Sequence, residues 1–170
     1  MRRSRGALTG FLLLILGAWG GLIAFVGPYF HYAYTPATTW TYTTDRLWLE
    51  ILPGAAVFLG GLLVMMTAAR HVAMFGALLA AAAGAWFALG TLLSPLWNHN
   101  VPLGGVPTGA TVTARIAEQV GFFSGLGIVV VFLAAIALGR LLTLPPEATP
   151  EPAEPYSADT APTTVQPTIG

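Results

Sequence analysis

The sequence predicts an all-α integral membrane protein, a four-helix bundle made of two tandem transmembrane hairpins. Three observations predict it. Hydrophobic residues make up 55% of the chain and charged residues only 8%. No Asp, Glu, Lys or Arg occurs from residue 6 to 44, 51 to 69, 71 to 114 or 119 to 139, and a helix of about 20 residues crosses a hydrocarbon layer roughly 30 Å thick. Finally, the phrase GAWGGLIAFVGP at 17–28 returns as GAWFALGTLLSP at 84–95.

The elements follow in order. Residues 1–6 form a short N-terminus carrying Arg2, Arg3 and Arg5. A four-helix domain over 7–144 follows, with spans at about 7–27, 47–69, 72–94 and 118–140. The first span stops at Pro28, because proline disfavours helical geometry in the residue before it. An aromatic and Thr-rich loop leads to the second span. Ala69, Arg70, His71 and Val72 make a tight connection to the third, as between adjacent antiparallel helices. The third span ends at Ser94 and Pro95, and a loop rich in Pro and Gly precedes the fourth. Residues 145–170, dense in Pro, Thr and Glu, read as a disordered tail, since they offer too little apolar surface to offset the entropy of ordering.

Arginine placement orients the chain. With the N-terminus inside, Arg2, Arg3, Arg5, Arg70 and Arg140 fall on the cytoplasmic side and Arg46 and Arg115 outside, so both termini are expected in the cytoplasm of a plasma-membrane protein. Tyr29, Tyr32, Tyr34, Trp40, Tyr42 and Trp48 then fall at the outer surface, where amphipathic rings favour the headgroup zone. All seven basic residues are arginine, a usage that suggests a GC-rich bacterial genome. A competing reading takes the Arg-rich start, the apolar core through Leu16 and Ala18-Trp19-Gly20 as a cleaved signal peptide. The repeat argues against it, because the matching Gly84-Ala85-Trp86 lies in the middle of a span.

Aligning Gly17 with Gly84 also pairs Trp19 with Trp86, Pro28 with Pro95, Arg46 and Glu50 with Arg115 and Glu118, and Arg70 with Arg140. Each half then leaves the membrane at a proline and re-enters beside an arginine–glutamate pair, as parallel repeats do. In this the chain resembles the SPW-repeat membrane proteins, a bacterial family named for a Ser-Pro-Trp motif in a two-helix repeat. The second copy here reads Ser94-Pro95-Leu96-Trp97 and the first Gly27-Pro28-Tyr29. The resemblance covers residues 8 to 140 and implies tandem hairpins; it implies no activity.

Polar groups at a membrane edge are costly, which makes them the place to look for function. Glu50 and Glu118 lie near the outer ends of the second and fourth spans, preceded by Arg46 and Arg115 at helical spacing. His31, His99 and Asp45 lie nearby. These groups either converge as a metal or proton-sensing cluster, or Arg pairs with Glu while the histidines face water. The second reading is preferred, since no HxxxH, HxH or ExxH spacing preorganises a metal. Ser94 and Ser124 lack acid–base partners in sequence, Ser94 reading as a helix end and Ser124 as a packing residue. Gly104-Gly105 reads as a turn, and Pro53-Gly54 as a proline in the first turn of a helix rather than an unwound substrate site.

Small residues at four-residue intervals, Gly76, Ala80, Gly84 and Ala88, with Gly17 and Gly21, Ala56 and Gly60, and Gly121 and Gly125, predict close helix packing within the bundle, or else faces for a partner or a second copy. No catalytic, cofactor-binding or metal residues are assigned, no cysteine is present and no basic patch points to nucleic acid. The expected function is therefore a non-enzymatic structural, scaffold or accessory role in the lipid bilayer. The alternatives are a small transporter or channel component, or an envelope sensor using the outer His and Glu residues.

Overall fold

The computed structural model describes residues 4–98 and 103–143. Among them every regular element is helical: α1 (Ser4–Val26), α2 (Thr44–Arg46), α3 (Leu52–Met66), α4 (Arg70–Leu93), α5 (Val112–Phe122) and α6 (Ser124–Leu142). A five-residue π turn, Leu47–Ile51, joins α2 to α3, so Thr44–Met66 runs as one rod. Four such stretches, Gly6–Phe30, Thr44–Met66, Arg70–Leu96 and Val112–Leu142, are long and apolar enough to cross a membrane. Arg2 and Arg3, His99 and the tail at 145–170 lie outside the described residues.

Local chemistry moves several of the expected boundaries. Thr43 and Thr111 cap the second and fourth rods, their hydroxyls accepting the N–H of Arg46 at 3.2 Å and of Ala114 at 3.1 Å. Such caps satisfy otherwise orphaned first-turn donors, and they start both rods earlier than hydrophobicity alone suggests. Thr67 leaves the helix with extended geometry and accepts the N–H of Ala69 at 3.2 Å. The connection is therefore Thr67 to Ala69, and Arg70 and His71 begin α4 instead of forming the loop. The fourth span, expected as one helix over 118–140, is broken at Phe123 (φ −127°, ψ −81°). Neighbours on a regular helix point about 100° apart; the break lets Phe122 and Phe123 both turn inward and become buried.

The rods pack as two hairpins side by side, α1 on α3 and α4 on α6, with α3 against α4 and a looser contact between α1 and α6. Glycine makes these approaches possible. A Cβ on Gly61 would lie 2.7 Å from the Gly10 carbonyl and the Leu14 nitrogen, and one on Gly54 would lie 2.6 Å from the Gly21 nitrogen. Gly60 meets Gly76 across α3 and α4, while Gly84 faces Val130 and Gly127 meets Ala88 across α4 and α6. Most of the small-residue ladders therefore line internal contacts. The pair Gly121 and Gly125 does not: Gly121 faces the Tyr32 hydroxyl, and Gly125 faces Val120 of its own segment. Leu13, Val57, Ala80, Phe87, Val130 and Ala134 form the centre of the core. Outward faces stay apolar too, with Phe11, Leu59, Phe75, Leu92 and Phe132 exposed, the pattern of helices whose surroundings are not water.

Candidate functional site

Both long loops fold over the same end of the bundle. At α1 the chain enters a 3-10 turn, Gly27–Phe30, and His31 takes a left-handed conformation (φ 57°) that closes it. The second copy of the phrase also ends in a 3-10 turn, Ser94–Leu96. The loops then pair: Thr35 N–H donates to the Val106 carbonyl at 3.0 Å, and Thr108 N–H to the Ala33 carbonyl at 3.1 Å. Tyr34, at this bridge, is only 7% exposed and packs on Phe122 and Phe123 with ring centroids 5.0 and 5.1 Å away. The aromatic group expected at the surface is thus divided. Tyr29, Trp40, Tyr42 and Trp48 are exposed, whereas Tyr34 faces inward and Tyr32 donates its hydroxyl to the Ala117 carbonyl at 2.6 Å. Burial first, then the charge of Glu118, with smaller contributions from Tyr32 and Glu50, pushes the Tyr34 hydroxyl up to about 12. Burial and Glu118 also raise Tyr32, against a backbone hydrogen bond at Gly121. Both phenols therefore stay neutral, Tyr32 acting as a donor.

The two expected Arg–Glu pairs do not close. Three of the four groups bind loop backbone instead. Arg46, 5% exposed, donates Nη1 to the Thr41 carbonyl at 2.8 Å and Nη2 to the Pro36 carbonyl at 2.7 Å, and its guanidinium lies 5.9 Å from the centre of the Phe25 ring. Arg115 donates Nε to the Gly109 carbonyl at 3.0 Å. Glu118, 1% exposed, accepts the Ala33 N–H on Oε1 at 3.3 Å and the Gly109 N–H on Oε2 at 2.9 Å, tying the two loops together. The physical reason is competition: these loops bring unpaired backbone groups to the rim of an apolar bundle, where an ion satisfies them better than water can.

Glu50 is the exception. It is 3% exposed, and its Oε2 is buried with no hydrogen-bond partner. It sits in the π turn, whose cause is legible nearby. Pro53 has no N–H, and the Leu52 N–H reaches back five residues to the Leu47 carbonyl, so the Trp48 carbonyl loses its regular helical donors. Trp86 supplies one from α4, Nε1 to the Trp48 carbonyl at 2.9 Å. Pro53 is in the first turn of α3, as expected, where α3 continues from the π turn within one long rod, and the rod is widened there but not unwound. Trp19 makes the matching bond from α1, Nε1 to the Gly121 carbonyl at 3.2 Å. In front of Glu50 lies a cavity of about 230 Å³ lined by Tyr34, Thr35, Pro36, Thr43, Thr44, Asp45, Arg46, Gly104 and Gly105.

The remaining sequence candidates are scattered. His31 is exposed, and among the described residues no three His, Cys, Asp or Glu side chains are placed to share a metal ion. Asp45 is on the cavity wall. Ser94 ends α4 as expected, and its fully buried hydroxyl also donates to the Thr91 carbonyl and accepts the Leu103 N–H, both at 2.8 Å. Ser124 reaches back to the Gln119 carbonyl at 3.4 Å across the Phe123 break, a polar contact rather than a packing one. Gly104 and Gly105 are a turn at φ 103° and 71°, conformations glycine adopts readily. The indole bonds of Trp19 and Trp86 and the inward role of Tyr34 escaped sequence reasoning; the proline five residues after Trp48 was the one available signal. No family model, no curated protein and no solved structure matches the chain.

Proposed function

We propose that the chain is a multi-pass membrane protein with a structural or accessory role, built from two tandem hairpins of the SPW-repeat kind. The observation that carries this reading is the use of charge at the loop end. Arg46, Arg115 and Glu118 are engaged in holding loop backbone over the bundle, which makes a rigid cap, not a reaction centre. Trp19 and Trp86 each reach a carbonyl of the neighbouring hairpin, and both first helices end in a 3-10 turn at a proline; these correspondences support a duplicated unit. Arg70 and Arg140 are at the opposite end, where they bond the Leu142 carbonyl at 3.2 Å and the Thr9 hydroxyl at 3.3 Å. With Arg2, Arg3 and Arg5 at the start of the sequence, this asymmetry favours both termini in the cytoplasm and the cap outside.

Two experiments test the reading. Because the chain has no cysteine, single Thr38→Cys and His71→Cys variants report topology through an impermeant maleimide. Labelling of position 38 but not 71 in intact cells supports the orientation, and the reverse overturns it. Purification from native membranes in mild detergent should yield a stoichiometric protein partner or a homo-oligomer. Substrate or ion flux through the purified protein in liposomes would replace the structural role with transport.

A further inference from the structure

Glu50 and Glu118 are both carboxylates buried beneath the loops, and they differ in one respect. Both oxygens of Glu118 accept backbone N–H groups. Oε2 of Glu50 accepts nothing, and a buried ionisable group without a partner calls for an explanation. Neither Arg46 nor Arg115 donates to it; the bonds they make go to loop carbonyls. The Nη1 and Nη2 donors of Arg46 go to Thr41 and Pro36, and the Arg115 Nε goes to Gly109. Where Glu118 meets loop N–H groups, Glu50 lines a cavity of about 230 Å³.

The walls define what suits that space. Asp45 adds a second carboxylate and Arg46 one guanidinium, so with both carboxylates ionised one negative charge is in excess. The hydroxyls of Thr35, Thr43 and Thr44 add neutral acceptors; Thr35 Oγ1 already accepts the Val106 N–H at 3.0 Å and keeps its own proton to donate. The occupant should therefore be a monocation that carries hydrogen-bond donors. A divalent metal is a poorer match, since among the described residues no third His, Cys, Asp or Glu joins the two carboxylates. An ammonium group has three donors, no acceptor and a single charge. Liquid water takes roughly 30 Å³ per molecule, so the cavity of about 230 Å³ has room for roughly eight heavy atoms.

We propose that the cavity beneath the two loops binds a small primary ammonium group, with Glu50 as its principal acceptor and Asp45 as a second carboxylate. The ammonium comes either from a free amine or from the headgroup of an ethanolamine phospholipid at the rim of the bundle.

The test uses the full chain in nanodiscs of phosphatidylcholine and isothermal titration calorimetry with ethanolamine, tetramethylammonium and calcium chlorides. Saturable ethanolamine binding is expected, at least tenfold tighter than that of tetramethylammonium, which has no N–H. Glu50→Gln should weaken it at least tenfold. Asp45→Asn, on the half-exposed wall, should weaken it by a smaller factor and serves if Glu50→Gln fails to fold by circular dichroism. Repeating the titration in nanodiscs containing phosphatidylethanolamine separates the sources. A fall in apparent affinity assigns the site to the lipid headgroup, and an unchanged affinity assigns it to a free amine. The proposal is overturned if ethanolamine does not bind, if tetramethylammonium or calcium binds as tightly, or if folded Glu50→Gln and Asp45→Asn both bind as wild type does.

Discussion

The bond between Trp86 and the Trp48 carbonyl yields a prediction sharp enough to test the reasoning behind the π turn. Trp86→Phe removes the indole donor at 2.9 Å and leaves a carbonyl that Pro53 and the Leu52-to-Leu47 bond have already deprived of helical donors. Leaving such a group unmet costs about 1–3 kcal/mol. The substitution also loses stacking on Trp97, whose ring centre is 5.6 Å away. A double-mutant cycle with Pro53→Ala separates the two losses. Alanine at 53 restores an N–H that, continuing the five-residue register of the π turn, points at the Trp48 carbonyl. The stacking loss is the same in both backgrounds and cancels. Trp86→Phe should therefore cost about 1–2 kcal/mol less in the Pro53→Ala background than in wild type. Equilibrium unfolding by sodium dodecyl sulfate in mixed micelles, followed by far-ultraviolet circular dichroism, measures each corner. Equal costs in both backgrounds, within about 0.5 kcal/mol, would refute the account.

Three further predictions follow from the same structure. Glu118→Ala frees the Ala33 and Gly109 amides and should weaken loop closure by roughly 2–4 kcal/mol, read as amide hydrogen exchange at both sites accelerated about thirtyfold or more. Gly61→Ala places a methyl 2.7 Å from the Gly10 carbonyl and should destabilise the bundle by about 1–3 kcal/mol, whereas Gly139→Ala, where a Cβ meets nothing within 4 Å, should stabilise it by about 0.5–1 kcal/mol; both are measured by thermal unfolding. Because the Tyr34 hydroxyl is raised to about 12 in the folded protein against about 10 when unfolded, its contribution to stability is complete below about pH 10. It is lost as pH rises toward 12. The tyrosinate absorbance difference between wild type and Tyr34→Phe should accordingly show a midpoint near 12, and a midpoint near 10 would remove Tyr34 from the buried cap.

Most of the architecture was legible because it rests on local properties. Uncharged apolar runs set the four rods, prolines at 28 and 95 set where α1 and α4 give way to a tighter turn, and small residues four apart marked most of the helix faces that meet. Element ends were less legible. Thr43, Thr67 and Thr111 act through single side-chain hydrogen bonds, which a hydropathy pattern does not register. The pair Gly10 and Gly61 shows the same limit, since neither residue stands out until the two helices are brought together.

At the loop end, sequence nominated the right carboxylates and arginines but paired them wrongly. Spacing along a helix makes Arg46 and Glu50 neighbours; it carries no information about loop carbonyls arriving from Pro36 and Thr41. By itself the sequence determined that this chain folds as apolar helical rods, because periodicity and composition act within one segment. Only the tertiary structure decided that Glu118 ties two loops while Glu50 faces a cavity without a hydrogen-bond partner for Oε2. That difference depends on which backbone donors from distant segments reach each carboxylate, and their positions exist only once the bundle has closed.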